Sequence, residues 1–209
     1  MTKKRLLNGL VDILMIGIAF YTTAVTWTDF SWYWLMSTIV LWAGTVGTIM
    51  TAKRHKLAGL PNLVQNGFNL VVAWQSGILG DSLISLWYAF AEAMSLKTWG
   101  EHSEGDKVET VKQVNWWRVV GLTTVTGVVM GLYSYYMGGQ KIVLDAINNA
   151  SGAVGEYFQK LERNRASWYL WGITNLIGIV IWWDINPIQA GMYVAFLLNT
   201  VRGYLNWSE

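Results

Sequence analysis

The sequence predicts an all-α polytopic membrane protein with eight transmembrane helices, and three observations carry that reading. The 209-residue chain is 53% hydrophobic and only 13% charged, against roughly 25% charged in an ordinary soluble domain. Its apolar residues fall into eight segments, 6–27, 31–52, 60–79, 81–99, 116–137, 140–160, 167–184 and 187–206, each near the roughly twenty residues needed to cross a bilayer. The basic residues then sort onto one side. With the N-terminus in the cytoplasm, inner segments hold Lys3, Lys4 and Arg5, then Lys53, Arg54 and Lys56, then Lys97, Lys107, Lys112 and Arg118, then Lys160, Arg163 and Arg165, and finally Arg202. Only Lys141 falls outside, as the positive-inside rule requires, while outer turns carry Asp29, Asp81 and Asp184.

Each segment has its own warrant. The first follows Thr2-Lys3-Lys4-Arg5 and has the look of a signal peptide, but it is long and Ala24-Val25-Thr26-Trp27 is a poor cleavage site, so it reads as a retained span. The second and third meet at the basic turn of Lys53, Arg54 and Lys56, and the fourth opens after a Gly80-Asp81 turn. A mixed-charge loop from Gly100 to Asn115 leads to the fifth span, which returns the chain across the membrane. The sixth contains Asp145, Asn148, Asn149 and Glu156, and it is kept because the charge alternation needs it. The seventh has no ionisable group until Asp184, and the eighth closes the chain with both termini on the cytoplasmic side.

Several functions are excluded by composition. A net charge of +2, with basic residues in short clusters between apolar runs, does not suit nucleic acid. Zero cysteines remove disulfides and thiolate sites. His55 and His102 both fall in loops, so no histidine serves a metal or proton relay within the membrane, and no metal or cofactor is expected. There is no P-loop, nucleophile elbow, HExxH or dinucleotide fingerprint, which leaves ATP-driven pumping unsupported. A membrane-embedded enzyme would need clustered carboxylates or histidines at an interface, and the chain reads as a non-enzyme. A non-transporting subunit docking through the 100–115 loop is the other rival; uptake into liposomes separates it from a carrier.

The chain forms one transporter domain, 1–209, with an internal plan. Segments 63–99 and 171–207 align without a gap at an offset of 108, matching Val72 to Val180, Trp74 to Trp182 and Trp99 to Trp207. The alignment equates spans two to four (31–99) with spans six to eight (140–207), and span five (116–137) links two bundles crossing in the same sense. Such a 3+1+3 parallel repeat is a known transporter plan with substrate at midplane between the halves.

Trp168, Trp171 and Asn175 stand at i, i+3 and i+7, on one face of the seventh span. At 1.5 Å per residue, Asn175 lies about 12 Å in, near the midplane. Asn69 in the third span and Asn148 and Asn149 in the sixth share that depth, and Asn66 lies one turn from Asn69, with Gln65 and Gln75 adding amide capacity. Carboxamides donate and accept hydrogen bonds without ionising, which suits sugar hydroxyls and base edges. Indole faces suit a flat ring, above all a cationic one. An intramembrane Asn can equally glue helices. Trp27, Trp32, Trp34, Trp99, Trp116, Trp117, Trp182, Trp183 and Trp207 lie near span ends, where aromatic belts are expected. Trp171 and Trp74 lie deeper and are the better pocket candidates, with Trp168 divided between belt and pocket. Glu92 and Glu156 are expected to pair with Lys97 and Lys160, and Asp12 to snorkel.

The string Trp168-Tyr169-Leu170-Trp171-Gly172-Ile173-Thr174-Asn175 fits W-x-x-W-x-x-x-N. It follows the turn Glu162-Arg163-Asn164-Arg165 and precedes a span ending Arg202-Gly203-Tyr204-Leu205-Asn206-Trp207. In this it resembles the PnuC family of bacterial vitamin transporters, over spans two to eight and most closely from Asp145 to Trp207. The resemblance implies a SWEET-like core of seven helices plus an extra first span. It further implies facilitated diffusion of a nucleoside-like compound across the bacterial inner membrane, trapped afterwards by a cytoplasmic kinase, and a homotrimer. Members carry nicotinamide riboside, thiamine, riboflavin or deoxynucleosides. A thiamine site would be expected to turn a carboxylate to the cavity, and an amide-rich centre departs from that. Asn148-Asn149 leaves the deoxynucleoside reading open. Nicotinamide riboside is the first expectation, its pyridinium stacked on Trp171 with Trp74 or Trp168, and its ribose and base substituent bonded by Asn69, Asn148, Asn149 and Asn175, with Asn66 a further binding residue beside Asn69.

Overall fold

The computed structural model describes residues 3–27 and 30–208. Asp29, expected in an outer turn, lies outside the described residues, as do Thr2 and the side chains of Lys3 and Lys4. The helices in chain order are α1 (Lys3–Val25), α2 (Trp32–Ala52), α3 (Gly59–Gln75), α4 (Leu79–Glu101), α5 (Trp116–Tyr136), α6 (Ile142–Glu156), α7 (Ser167–Trp182) and α8 (Pro187–Trp207). Each expected span thus has its helix. The sixth is the most altered, since α6 passes into a π-helical turn over Tyr157–Leu161.

Local chemistry sets the helix starts. Ser31 Oγ accepts from Trp34 N at 3.0 Å and Asn115 Oδ1 from Arg118 N at 3.2 Å, capping α2 and α5. Asn186 Oδ1 caps α8 by accepting from Ile188 N at 3.0 Å, with Pro187 in the first helical turn where its missing N–H costs nothing. Gly77 takes φ 71° in the turn between α3 and α4, and its carbonyl accepts from Gln140 N at 3.0 Å, tying that turn to the one before α6.

α3 packs between α2 and α4, and α7 between α6 and α8. The two sets meet where α2 lies against α8 and α4 against α6, while α5 rests on α6 and α1 on α8. Among the described residues three helices are long and apolar enough to cross a membrane by length and composition, Arg5–Val25, Trp32–Ala52 and Trp116–Tyr136. α3, α6 and α7 are shorter, at 17, 15 and 16 residues, and α4 and α8 bury polar side chains such as Asp81, Glu92, Gln189 and Asn199. Outward faces are apolar: Ile13, Phe20, Val125, Val143, Val180 and Val201 are exposed, as in a bilayer-facing belt.

The 100–115 loop is not a free appendage. It carries a short antiparallel hairpin, β1 (Ser103–Glu104) with β2 (Lys107–Val108), so the fold is not wholly helical. Val108 N donates to Arg54 O at 2.9 Å and Val111 N to Arg163 O at 2.9 Å, strapping the loop across the basic end of the molecule. At the opposite end Lys141 Nζ donates to Ile181 O at 2.8 Å and pairs with Asp184 at 2.5 Å, clasping two turns. That ammonium holds the Asp184 carboxyl below its ordinary range.

Several sequence expectations are corrected. Trp27, Trp32, Trp116, Trp117 and Trp183 are exposed near helix ends as a belt requires, but Trp99, Trp182 and Trp207 are fully buried. Trp99 and Trp207 meet edge-on, with ring centroids 5.9 Å apart. Asp12 does not snorkel. It pairs with Lys53 at 2.5 Å and with the Arg202 guanidinium, joining α1, α2 and α8. Glu92 pairs with Lys160 at 2.9 Å rather than with Lys97, which lies five residues along α4 on another face. Glu156 makes no ion pair with Lys160 among the described residues, although it lies beside Glu92 and close to the Lys160 charge. The Lys160 ammonium is also 3.1 Å from Thr51 Oγ1, to which it donates, and sits 4.6 Å from the Trp99 ring centre.

Breaking a buried pair by removing one partner typically costs about 3–5 kcal/mol. Lys160→Met is therefore expected to lower the unfolding midpoint in detergent by several degrees, and the double variant with Glu92→Leu to recover much of that loss. An unchanged midpoint for Lys160→Met contradicts the pair's role.

Candidate functional site

A largely enclosed cavity runs along the seam between the two sets of helices, with about 690 Å³ of atom-free space including its open mouth. Toward the end away from the basic clusters its wall is Asn69, Asp81 and Tyr193. At mid-depth come Tyr88, Trp171, Asn175 and Phe196, and toward the basic end Asn62, Glu92, Glu156, Gln159 and Trp168.

The α7 stripe read from spacing reaches this wall. Asn175 Nδ2 donates to Thr200 Oγ1 at 2.9 Å, which fixes the amide and leaves its Oδ1 without a protein donor. Trp171 is half-buried, its ring centre 5.7 Å from that of Tyr88, and its Nε1 has no acceptor. The Tyr88 hydroxyl lies directly over Gly152, where any side chain would overlap it. Trp168 packs on Gly203 and against Trp207 at 5.6 Å, so it belongs to core and cavity together rather than to an interfacial belt. Asn69 donates to Ser85 Oγ and accepts from Gln189 Nε2, both at 3.0 Å, and Asn66 lines the wall one turn away.

Three of the expected residues are not brought to the cavity. Trp74 is 56% exposed near the end of α3, in the belt. Asn149 Nδ2 donates to Asp145 Oδ1 at 2.6 Å and to Asp145 O at 2.8 Å, so its work is structural. Asn148 is buried outside the cavity lining, beside the Tyr193 ring. Depth along a helix does not set azimuth, and α6 turns these amides toward α4 and α8 behind the wall. The converse error is larger. Asp81 was assigned to an outer turn, yet it sits inside the first turn of α4, 2% exposed, with Oδ2 facing no donor. A carboxylate therefore does face the cavity. Tyr88 is a further cavity residue not singled out from the sequence, and Glu92, expected only in an ion pair, lines the cavity too; 81, 88 and 92 are spaced i, i+7 and i+11 on one face of a helix.

Seven buried polar atoms on this wall lack a protein partner: Asn62 Oδ1, Asp81 Oδ2, Glu156 Oε1, Gln159 Nε2, Trp168 Nε1, Trp171 Nε1 and Asn175 Oδ1. Each would cost about 1–3 kcal/mol if left permanently unpaired. They give the wall both donors and acceptors that the protein itself does not engage.

Eight membrane helices around an enclosed cavity of mixed indole, amide and carboxylate character define a carrier of small polar solutes. No group in it is arranged as a nucleophile with a base. A family model described as nicotinamide mononucleotide transporter matches residues 34–209, and the chain belongs to that family, the PnuC transporters. A nicotinamide riboside transporter PnuC from Haemophilus influenzae is 24% identical over 218 aligned positions, spanning 99% of this chain and 94% of that protein. A nicotinamide riboside transporter PnuC from Neisseria mucosa is 25% identical over 193 positions, 84% of this chain and 72% of that one. The crystal structure of a vitamin B3 transporter PnuC shares the fold at a TM-score of 0.82, with 20% identity over 100% of this chain and 92% of that one.

Trp171→Ala and Asn175→Ala are each expected to weaken substrate binding about tenfold to a hundredfold, the 1–3 kcal/mol of one stacking or polar contact. Trp74→Ala should leave affinity unchanged, and Asn149→Ala should lower thermal stability rather than affinity. Calorimetry and thermal unfolding on the same purified variants check both.

Proposed function

We propose that the protein imports nicotinamide riboside across a bacterial inner membrane by facilitated diffusion, with both termini in the cytoplasm and phosphorylation by a cytoplasmic kinase trapping the product. The observation that carries this reading is the meeting of the half-buried Trp171 with unpaired carboxylate and amide oxygens in one enclosed cavity. An indole face and nearby anions suit a pyridinium ring. Asn175 Oδ1, held by the bond its own amide donates to Thr200, is poised to accept from a ribose hydroxyl. The names of the relatives agree with this substrate.

In this reading substrate passes by rocking of two three-helix bundles, 31–99 and 140–207, joined by the 116–137 helix. A parallel repeat has support in the cavity wall, where Tyr88 and Phe196, and Glu92 and Thr200, occupy positions equivalent under the offset of 108. The two equivalent indoles also reciprocate: Trp99 Nε1 donates to Lys160 O at 3.0 Å, and Trp207 Nε1 to Thr51 O at 3.1 Å, each crossing to the other bundle. A homotrimer follows from the family resemblance.

The wall carboxylates alter the order of alternatives. Thiamine, also a cationic ring, stands above the neutral deoxynucleosides and riboflavin. Calorimetry of the purified protein is expected to give saturable binding of nicotinamide riboside, weaker heat with thiamine and none with thymidine or deoxyadenosine. Liposomes carrying the protein should equilibrate labelled nicotinamide riboside without an imposed gradient and should not concentrate it. Selective uptake of a deoxynucleoside overturns the assignment.

A further inference from the structure

The buried carboxylates of this chain are not equivalent. Asp12 has Lys53 and Arg202, and Glu92 has Lys160 together with the Asn62 amide, whose Nδ2 donates at 2.7 Å. Asp145 has no cation but is well supplied with donors: Gly80 N and Ser134 Oγ, each at 3.0 Å, and Asn149 Nδ2 at 2.6 Å. Glu156 lies beside Glu92, close to the Lys160 charge. Asp81 and Glu156 are each 2% exposed, line the cavity, make no ion pair among the described residues and hold one carboxylate oxygen that meets no donor, but Glu156 has the Lys160 charge nearby and Asp81 has no cation beside it. The surroundings of Asp81 are neutral groups, Asn69, Trp182 and Tyr193, with the like charge of Asp145 nearby.

An isolated carboxylate in a protein interior carries a large desolvation cost unless a positive partner arrives. The packing around Asp81 makes that arrangement a built one. A side chain at Gly80 would collide with Asp145 and Asn149, so the α4 start is pressed against α6 and fixes where Asp81 projects. Asp81 stands in the first turn of α4, and a cation in the cavity would supply the opposite charge that the protein does not place beside it. No basic side chain lines the cavity among the described residues, whereas three carboxylates do.

We propose that Asp81 is the residue that selects for a positively charged ring, acting as its counter-ion inside the cavity. This rests on the riboside reading above, and it assigns the charge discrimination to one side chain. Asn175 and the other amides would read hydroxyls that charged and uncharged ligands share, and would not distinguish them.

A matched pair of ligands separates these contributions: nicotinamide riboside, whose pyridinium is cationic, and its reduced dihydropyridine form, which keeps the ribose and carboxamide but is neutral. Calorimetry on the wild-type protein, Asp81→Asn and Asp81→Glu, with counterflow in liposomes, measures both. The wild type is expected to prefer the cationic form by tenfold or more. Asp81→Asn should lose at least tenfold toward the cation while keeping its affinity for the neutral form, which also shows that the variant is folded, and Asp81→Glu should retain part of the preference. If the wild type binds neither compound, the substrate reading fails. If it binds nicotinamide riboside and Asp81→Asn binds it equally well, the substrate stands and Asp81 is not the counter-ion. Equal weakening toward both forms in Asp81→Asn also overturns the proposal, since it marks a packing role.

Discussion

Hydrocarbon offers no hydrogen bonds, and this constraint organises the whole molecule. Every amide, hydroxyl and carboxylate carried into the membrane must be met by another part of the chain. Most are. Asn186 donates to Tyr33 Oη at 2.8 Å and Ser37 Oγ at 2.9 Å, joining the start of α8 to α2, and Gln189 reaches Asn69 on α3. These bonds cross between helices distant in sequence, so they specify which faces meet where apolar packing against lipid would not discriminate. The cavity wall gathers seven of the fourteen buried side-chain atoms that lack a protein partner among the described residues.

Charge partition explains how much of the architecture was legible in advance. Fourteen of fifteen basic residues on one side demand an even number of crossings, which rescued the sixth span despite Asp145 and Glu156. The α7 stripe was legible for a different reason, since a helix of known period placed Trp168, Trp171 and Asn175 on one face. What could not be read was which way a face points. Asn148 and Asn149 share the depth of Asn175 but are rotated behind the wall, and Trp74 faces outward although its counterpart in the repeat, Trp182, is buried.

Two errors had the same origin. The nearest lysine in sequence is not the partner of Glu92, because Lys97 lies five residues along α4 on another face and Lys160 arrives from the far half of the chain. Placing Asp81 in a turn followed from hydropathy, which treats an acid beside a glycine as a boundary. In both cases the decisive partner, or its absence, lies on a helix far along the chain, and that information is carried by packing rather than by any local pattern.

The reciprocal indole bonds bear on how the molecule is made. Trp99 donates to a carbonyl 61 residues downstream, and Trp207 to one 156 residues upstream. When the first four helices have left the ribosome, Trp99 has no acceptor yet, and the basic end of the cavity cannot close until α6 and its π-turn have entered the membrane. The early half of the chain must wait in the bilayer in an unfinished state. Co-translational insertion and final assembly are therefore separate events in the life of this protein.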